Sequence, residues 1–228
     1  LKVAIFSTGD ELKLPGTSLQ AGEIYDSNRY GIEAMLNRMG IECLNLGIIP
    51  DDPAQLRDTF MQAAQSADAI ITSGGVSVGE ADYTKDLLLE LGEVGFWSVA
   101  MKPGKPFAFG KIRDKHFFGL PGNPVSAFVT FYQLVQPALR KLAGEIAIEP
   151  LRLPAIAEHN FRSAKNRVDF QRGLISVNAD GLITVRSTGA QGSGMFTSLC
   201  AANCFVIVEK DVPAGASVTI ELFNEIVI

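Results

Sequence analysis

Five short stretches of this 228-residue chain set reactive side chains beside glycine or proline. They are Thr8-Gly9-Asp10-Glu11, Pro50-Asp51-Asp52-Pro53, Ser73-Gly74-Gly75 running through Ser77 to Asp82, Lys102-Pro103-Gly104-Lys105-Pro106, and Pro121-Gly122-Asn123-Pro124. Glu11, Asp51 and Asp82 are hard oxygen donors, the type that holds Mg²⁺ against phosphate oxygens. The glycines let backbone N–H groups come close to an anion. Lys102 and Lys105 are compact positive charges suited to an oxyanion. Together these parts describe a site for a phosphorylated ligand and a second anion. Each also has a local reading. Asp52 is placed to cap a helix, Asp82 to cap a second one, Gly74-Gly75 to make a tight turn, and the lysines to sit in solvent. Their joint position is what favours a site.

Gly75-Val76-Ser77-Val78-Gly79 also fits the nucleophile elbow of serine hydrolases. That chemistry needs a downstream acid and a histidine. The chain has two histidines, His116 and His159, and the residues after Ser77 start a helix poorly. A Walker-type Gly-Lys-Ser/Thr loop and a dinucleotide-binding glycine fingerprint are both missing from the sequence.

The elements that must position these residues alternate. Residues 2–7, 41–49 and 68–73 are apolar runs that read as strands buried on both faces. Between them, 28–39 and 53–66 carry apolar residues at helical spacing, with Gly40 as a C-terminal cap and Asp52-Pro53 as a helix start. A short helix is expected over 83–91, short strands at 96–101, 107–110 and 116–120, and an apolar helix from Pro124 that Pro137 interrupts. Strand–helix alternation predicts a three-layer α/β domain with a mostly parallel sheet, whose ligands sit beyond the strands' carboxyl ends. The five stretches fall there. From Leu151 the pattern changes to β-branched runs at 151–157, 168–177, 182–188, 204–210 and 217–222, with no amphipathic helix. This predicts a small all-β domain, a barrel or a sandwich, with domains at 1–147 and 151–228.

Charge and composition narrow the function. The formal net charge of −5 gives no global attraction to nucleic acid or anionic lipid, so any anion site must be built locally. Cys43, Cys200 and Cys204 form no metal-binding spacing and no disulfide framework, which fits a reducing, cytoplasmic setting. No signal peptide or long apolar run suggests export or membrane insertion. The chain opens at Leu1 already reading as a strand, so a fragment of a longer protein is expected.

At the level of motifs, the sequence resembles the molybdopterin molybdotransferases, the group that includes the E domain of gephyrin. The matching strings are FSTGDEL (6–12), IYDSNR (24–29), DDP (51–53), SGGVSVGEADYTK (73–85), MKPGKPFAFGK (101–111), LPGNPVSA (120–127), VDFQRG (168–173) and NADG (178–181). The resemblance implies an enzyme that takes adenylylated molybdopterin and molybdate, releases AMP and inserts molybdenum into the dithiolene. It implies a barrel for the small all-β domain, Mg²⁺ dependence, a cytoplasmic homodimer, and a molybdopterin adenylyltransferase as partner. By the same resemblance, Asp51 and Asp82 hold the metal or orient the pyrophosphate, and Glu11 supports them. The segment Thr8-Gly9-Asp10, Ser73 to Ser77 (with Gly74 and Gly75), and Gly122-Asn123 cradle phosphate and pterin. Lys102, Lys105 and Pro106 receive molybdate, with Arg167 and Ser193 as further candidates for that anion. Two departures stand out. Ser98 occupies a position where some members carry a lysine, and two domains that precede the α/β domain in the family are missing. An adenylyltransferase-like activity and a non-catalytic scaffold are the alternatives.

Overall fold

The computed structural model describes residues 1–75, 82–146 and 149–223, and for residues 82–84 the backbone alone. The apolar run Lys2–Thr8 forms β1, almost wholly buried. Two short strands, β2 (Leu12–Lys13) and β3 (Ile24–Tyr25), pair with each other across the following loop. α1 (Ser27–Arg38) begins where the Asp26 carboxylate accepts the Arg29 N–H, and it buries Ile32, Met35 and Leu36. After Gly40, whose positive φ suits the expected cap, β4 (Glu42–Ile49) leads to α2 (Pro53–Ser66). Asp52 caps α2 by accepting the Gln55 N–H, with Pro53 in the first turn. Then come β5 (Ala69–Ser73), α3 (Asp82–Leu91), β6 (Gly92–Ser98), β7 (Met101–Lys102), β8 (Pro106–Ile112) and β9 (Lys115–Leu120).

The next helix is interrupted, as Pro137 demands. α4 (Pro124–Thr130) passes through a π-type turn at Phe131–Val135 into α5 (Gln136–Leu142). Pro137 has no N–H to return up the helix. The chain widens one turn earlier, where the Gln136 N–H reaches back five residues to the Phe131 carbonyl. The second half holds β10 (Arg152–Ala157), β11 (Val168–Val177), β12 (Ile183–Ser187), α6 (Phe196–Cys200), β13 (Cys204–Val208) and β14 (Ser217–Leu222). α6 corrects the expectation that this half has no helix: five residues are too few to show a helical period.

The first sheet has six strands in the order β4-β1-β5-β9-β8-β6. β4, β1, β5 and β9 run parallel. β8 alone runs against its neighbours, antiparallel to both β9 and β6, because β8 and β9 are joined by a tight turn at Arg113-Asp114 and a parallel pair would need a long crossover. Alternation along β1 sends Val3 and Ile5 to one face, with α1 and α4, and Ala4 and Phe6 to the other, with Leu56 and Phe60 of α2 and Leu88 of α3. Three layers result, as the strand–helix alternation predicts.

The second sheet closes on itself as β12-β10-β14-β13-β11, with β11 returning to β12. Cys204, Val206 and Val208 of β13 fill its interior. Gly173 of β11 faces them, and a Cβ there would lie 2.7 Å from Val206 Cγ2, so only glycine fits. The alternate residues Phe170 and Phe205 point outward and join Val3, Ile5 and Phe131 in one core cluster with the α/β layers. β7 strengthens this join by pairing with β11, Met101 opposite Val168 and Lys102 opposite Asp169.

Candidate functional site

The loops after β1, β4, β5 and β9 meet at the carboxyl edge of the sheet, where a parallel sheet places ligands. Polar contacts knit them together. The Thr8 hydroxyl donates to the Asp51 carboxylate, and the Asp51 N–H donates to Asp10 Oδ1 at 3.2 Å. Asn28, at the start of α1 and buried, donates from Nδ2 to Ser73 Oγ and to the Gly122 carbonyl, both at 2.7 Å. One amide thus ties α1 to two of the loops. Among the described residues, the Asn28 Oδ1 is buried without a hydrogen-bond partner. Gly74, at φ +93°, packs so tightly that a Cβ would stand 2.5 Å from the Thr8 carbonyl oxygen.

Beneath this surface lies a buried ionic network. Asp26 accepts from Ser7 Oγ at 3.0 Å and from Arg29 Nε at 2.7 Å. Arg29 Nη1 donates to Asn45 Oδ1 at 2.7 Å, and Asn45 donates to Glu33 at 2.6 Å. Both Asp26 and Arg29 are at most 5% exposed, so this pair fixes the start of α1 against β1 and β4.

The loops enclose a cleft of about 990 Å³. Thr8, Gly9 and Glu11 line it from β1, Asp51 from β4, Ser73–Gly75 from β5, and Pro121–Pro124 from β9. Ile24 to Asn28 and Pro106 complete the α/β side, and Gly194 and Phe196 close it from the barrel half. Of the residues singled out from sequence, Thr8, Gly9, Glu11, Asp51, Ser73, Gly74, Gly75, Pro106, Gly122 and Asn123 come together here. Asp10 sits one hydrogen bond away on Asp51. Ser77 lies outside the described residues, as does the side chain of Asp82, whose backbone opens α3. Among the described residues no lysine or arginine lines the cleft, and its carboxylates are Glu11, Asp26 and Asp51. No cluster of three or more metal-ligating side chains occurs among the described residues.

The remaining candidates stand elsewhere. Lys102 extends from β7 to Asp169, with Nζ 3.1 Å from Oδ2. Its neighbour Met101 turns the other way, into the shared core. Lys105 and Arg167 are exposed. Ser193 offers its carbonyl to the Val125 N–H at 3.1 Å and adjoins the lining residue Gly194.

Arg172 is a residue the sequence reading passed over. It is 0% exposed, on the outward face of β11 toward α6. Its Nε donates to Ser198 Oγ at 3.1 Å and its Nη2 to the Gly192 carbonyl at 3.2 Å, while Nη1 has no hydrogen-bond partner among the described residues. Burial pushes its pKa down, and the Asp169 charge works in the opposite direction. The available signal was the register of VDFQRG: Arg172 falls two places after Phe170, on the same core-facing side. For Asp26 and Arg29 the signal was a charged pair at the start of an apolar helix.

The profile of a family described as "Probable molybdopterin binding domain" matches residues 4–141. The chain belongs to this family. The family's match is followed by a second one, at residues 154–223, to the "MoeA C-terminal region (domain IV)". Among relatives, the chain is 50% identical to the molybdopterin molybdenumtransferase of Haemophilus influenzae over 230 residues, covering 99% of this chain and 57% of that protein. It is 37% identical over 244 residues to the gephyrin of Dictyostelium discoideum, covering 91% and 34%. The solved structure of the molybdopterin biosynthesis MoeA protein of Pyrococcus horikoshii superposes with a TM-score of 0.79 at 32% identity, covering 97% of this chain and 54% of that one. The chain spans about half the length of the Haemophilus and Pyrococcus proteins and about a third of that gephyrin. No helix among the described residues is long and apolar enough to cross a membrane.

Proposed function

We propose that this chain carries the substrate cleft of a molybdopterin molybdenumtransferase, in which adenylylated molybdopterin and molybdate react to give molybdenum cofactor and AMP. The observation that carries the reading is the cleft itself: glycine-lined turns and two solvent-facing carboxylates, Glu11 and Asp51, with no cation among its described lining residues. A phosphorylated ligand in such a cleft needs a positive charge from outside the protein. Mg²⁺ fits that need, since it is held by one or two carboxylates and completes its sphere with phosphate oxygens and water. Glu11 and Asp51 would hold it, with Asp82 as a third donor from the sequence reading. Held there, Mg²⁺ would supply charge neutralisation for the phosphate.

The chain's own groups do the rest. The Thr8 hydroxyl holds the Asp51 carboxylate in place. Main-chain N–H groups of Gly75, Gly122 and Asn123 meet the phosphate and pterin oxygens, while the Gly74 N–H holds the turn by donating to the Leu120 carbonyl and Ser73 is anchored by Asn28 beneath them. Arg172, buried under the Gly192–Gly194 turn, adds positive potential behind the barrel side of the cleft, next to Ser193, while Lys105 and Pro106 stand at the α/β lip. Lys102 and Arg167 act as outer charges. Residues 1–147 form the pterin-binding domain and 151–228 the barrel domain of a cytoplasmic homodimer supplied by a molybdopterin adenylyltransferase.

The test is Mg²⁺-dependent AMP release by the intact protein. Asp51→Asn lowers it about 100-fold or more, the scale of losing one stabilising group at the reacting centre, while the melting temperature holds. Unchanged release in Asp51→Asn and Glu11→Gln would remove the assigned site.

A further inference from the structure

The cleft is lined by carboxylates and no described cation, in a chain of formal net charge −5. The long-range field therefore opposes the approach of a phosphorylated or oxyanionic ligand.

Two loops carry the opposite sign, and hydrogen bonds join them into one surface. Lys105 is exposed beside Pro106 at the lip of the cleft, and its carbonyl accepts the Val99 N–H at 2.9 Å. One residue further, the Ala100 carbonyl accepts the Val168 N–H at 3.0 Å. This brings in the loop Arg162-Ser163-Ala164-Lys165-Asn166-Arg167, whose three cations are exposed. The loop has a fixed shape: the Arg167 N–H donates to the Ala164 carbonyl at 3.1 Å, and Gln171 Nε2 to the Arg162 carbonyl at 2.7 Å. Lys102, partly exposed on β7, stands between the two loops.

Two carboxylates oppose these five cations. Asp169 binds Lys102. Asp211 accepts the Ser163 N–H at 2.7 Å and its hydroxyl at 3.1 Å. Those bonds hold the Asp211 carboxyl below its usual range, with Arg162 and Lys165 adding their charge. Glu209 and Lys210 beside it offset each other. The surface stays positive on an acidic protein.

We infer that this basic ridge is an electrostatic guide: it collects small phosphate-bearing or oxyanionic ligands from solution and passes them over Pro106 into the cleft. The inference rests on the reading of the cleft given above. Its effect is on the rate of arrival, because its cations stand outside the cleft lining. It is also salt-sensitive, since exposed charges act over about 8–10 Å at moderate ionic strength.

The experiment is stopped-flow association of N-methylanthraniloyl-ADP with the full chain in the presence of Mg²⁺. At low salt, Arg162→Gln/Lys165→Gln slows association about 5- to 10-fold and flattens its salt dependence, while the dissociation rate stays the same. Lys165→Glu slows it further than Lys165→Gln. Association of uncharged N-methylanthraniloyl-adenosine is unaffected. An unchanged ADP association rate overturns the guide and leaves the ridge to an acidic protein surface. A change in dissociation alone, or an equal loss for the uncharged probe, also overturns it. Failure of the wild-type chain to bind the ADP probe would instead remove the cleft assignment, and the ridge's destination with it.

Discussion

The α/β half and the barrel half each bury an arginine, and they treat it in opposite ways. Arg29 lies against Asp26, with Nε 2.7 Å from the carboxylate, and hands a second N–H to Asn45. Its charge is matched where it sits. Arg172 is buried more completely, yet among the described residues its hydrogen bonds go to a hydroxyl and a carbonyl and none to a carboxylate; each arginine keeps one buried nitrogen, Arg29 Nη2 and Arg172 Nη1, without a hydrogen bond. A buried ion pair holds parts of a fold in register. A buried cation without a bound carboxylate holds a charge in reserve, and such a charge is tolerated where a ligand brings its complement.

The comparison breaks most readily at Asp26. Asp26→Asn leaves Arg29 buried and uncompensated, and destabilises the chain by about 3–5 kcal/mol. Urea unfolding checks this through the midpoint, at constant slope. Arg172→Met sharpens the contrast. An apolar side chain of similar length replaces a poorly matched charge, so stability stays within about 1 kcal/mol or rises. Molybdate binding by calorimetry should weaken in the same variant. If Arg172→Met were as unstable as Asp26→Asn, the two arginines would share one structural role.

The smallest effect concerns the thiols, which divide by burial and not by region. Cys200 is exposed, whereas burial pushes Cys43 up to about 11, with Glu33 adding to the rise, and Cys204 up to about 12. At pH 8 a maleimide labels Cys200 first and the other two slowly. Both raised thiols favour the protonated form in the fold. Their contribution is complete below the unfolded value near 9 and is lost as pH rises through about 11 to 12. A pH titration of the melting temperature should show a decline beginning near pH 9.

Much of the fold was legible because its signals are local. The apolar run of β1, the Asp52-Pro53 helix start and the Gly40 stop each act within a few residues, and each stands where expected. The gathering of Glu11, Asp51, Gly74 and Gly122 was legible for a different reason, since a parallel sheet sends all its strand-end loops to one edge. What was hidden is non-local. Lys102 reads as a free charge until β7 pairs with β11, 67 residues later, and delivers Asp169 to it. Arg172 reads as one more strand cation until the barrel closes and turns its outward face onto α6. The register of VDFQRG puts Arg172 on the side of Phe170, but neither segment names the distant partner.

The outward aromatic face of the barrel has a consequence for the molecule's thermal behaviour. Phe205 and Phe223 lie 5.6 and 5.4 Å from the ring of Tyr132, in the helical layer of the other half. Neither half can melt without wetting the other's rings. A calorimeter should therefore record a single endotherm, and a barrel expressed alone would carry a sticky aromatic flank into solution.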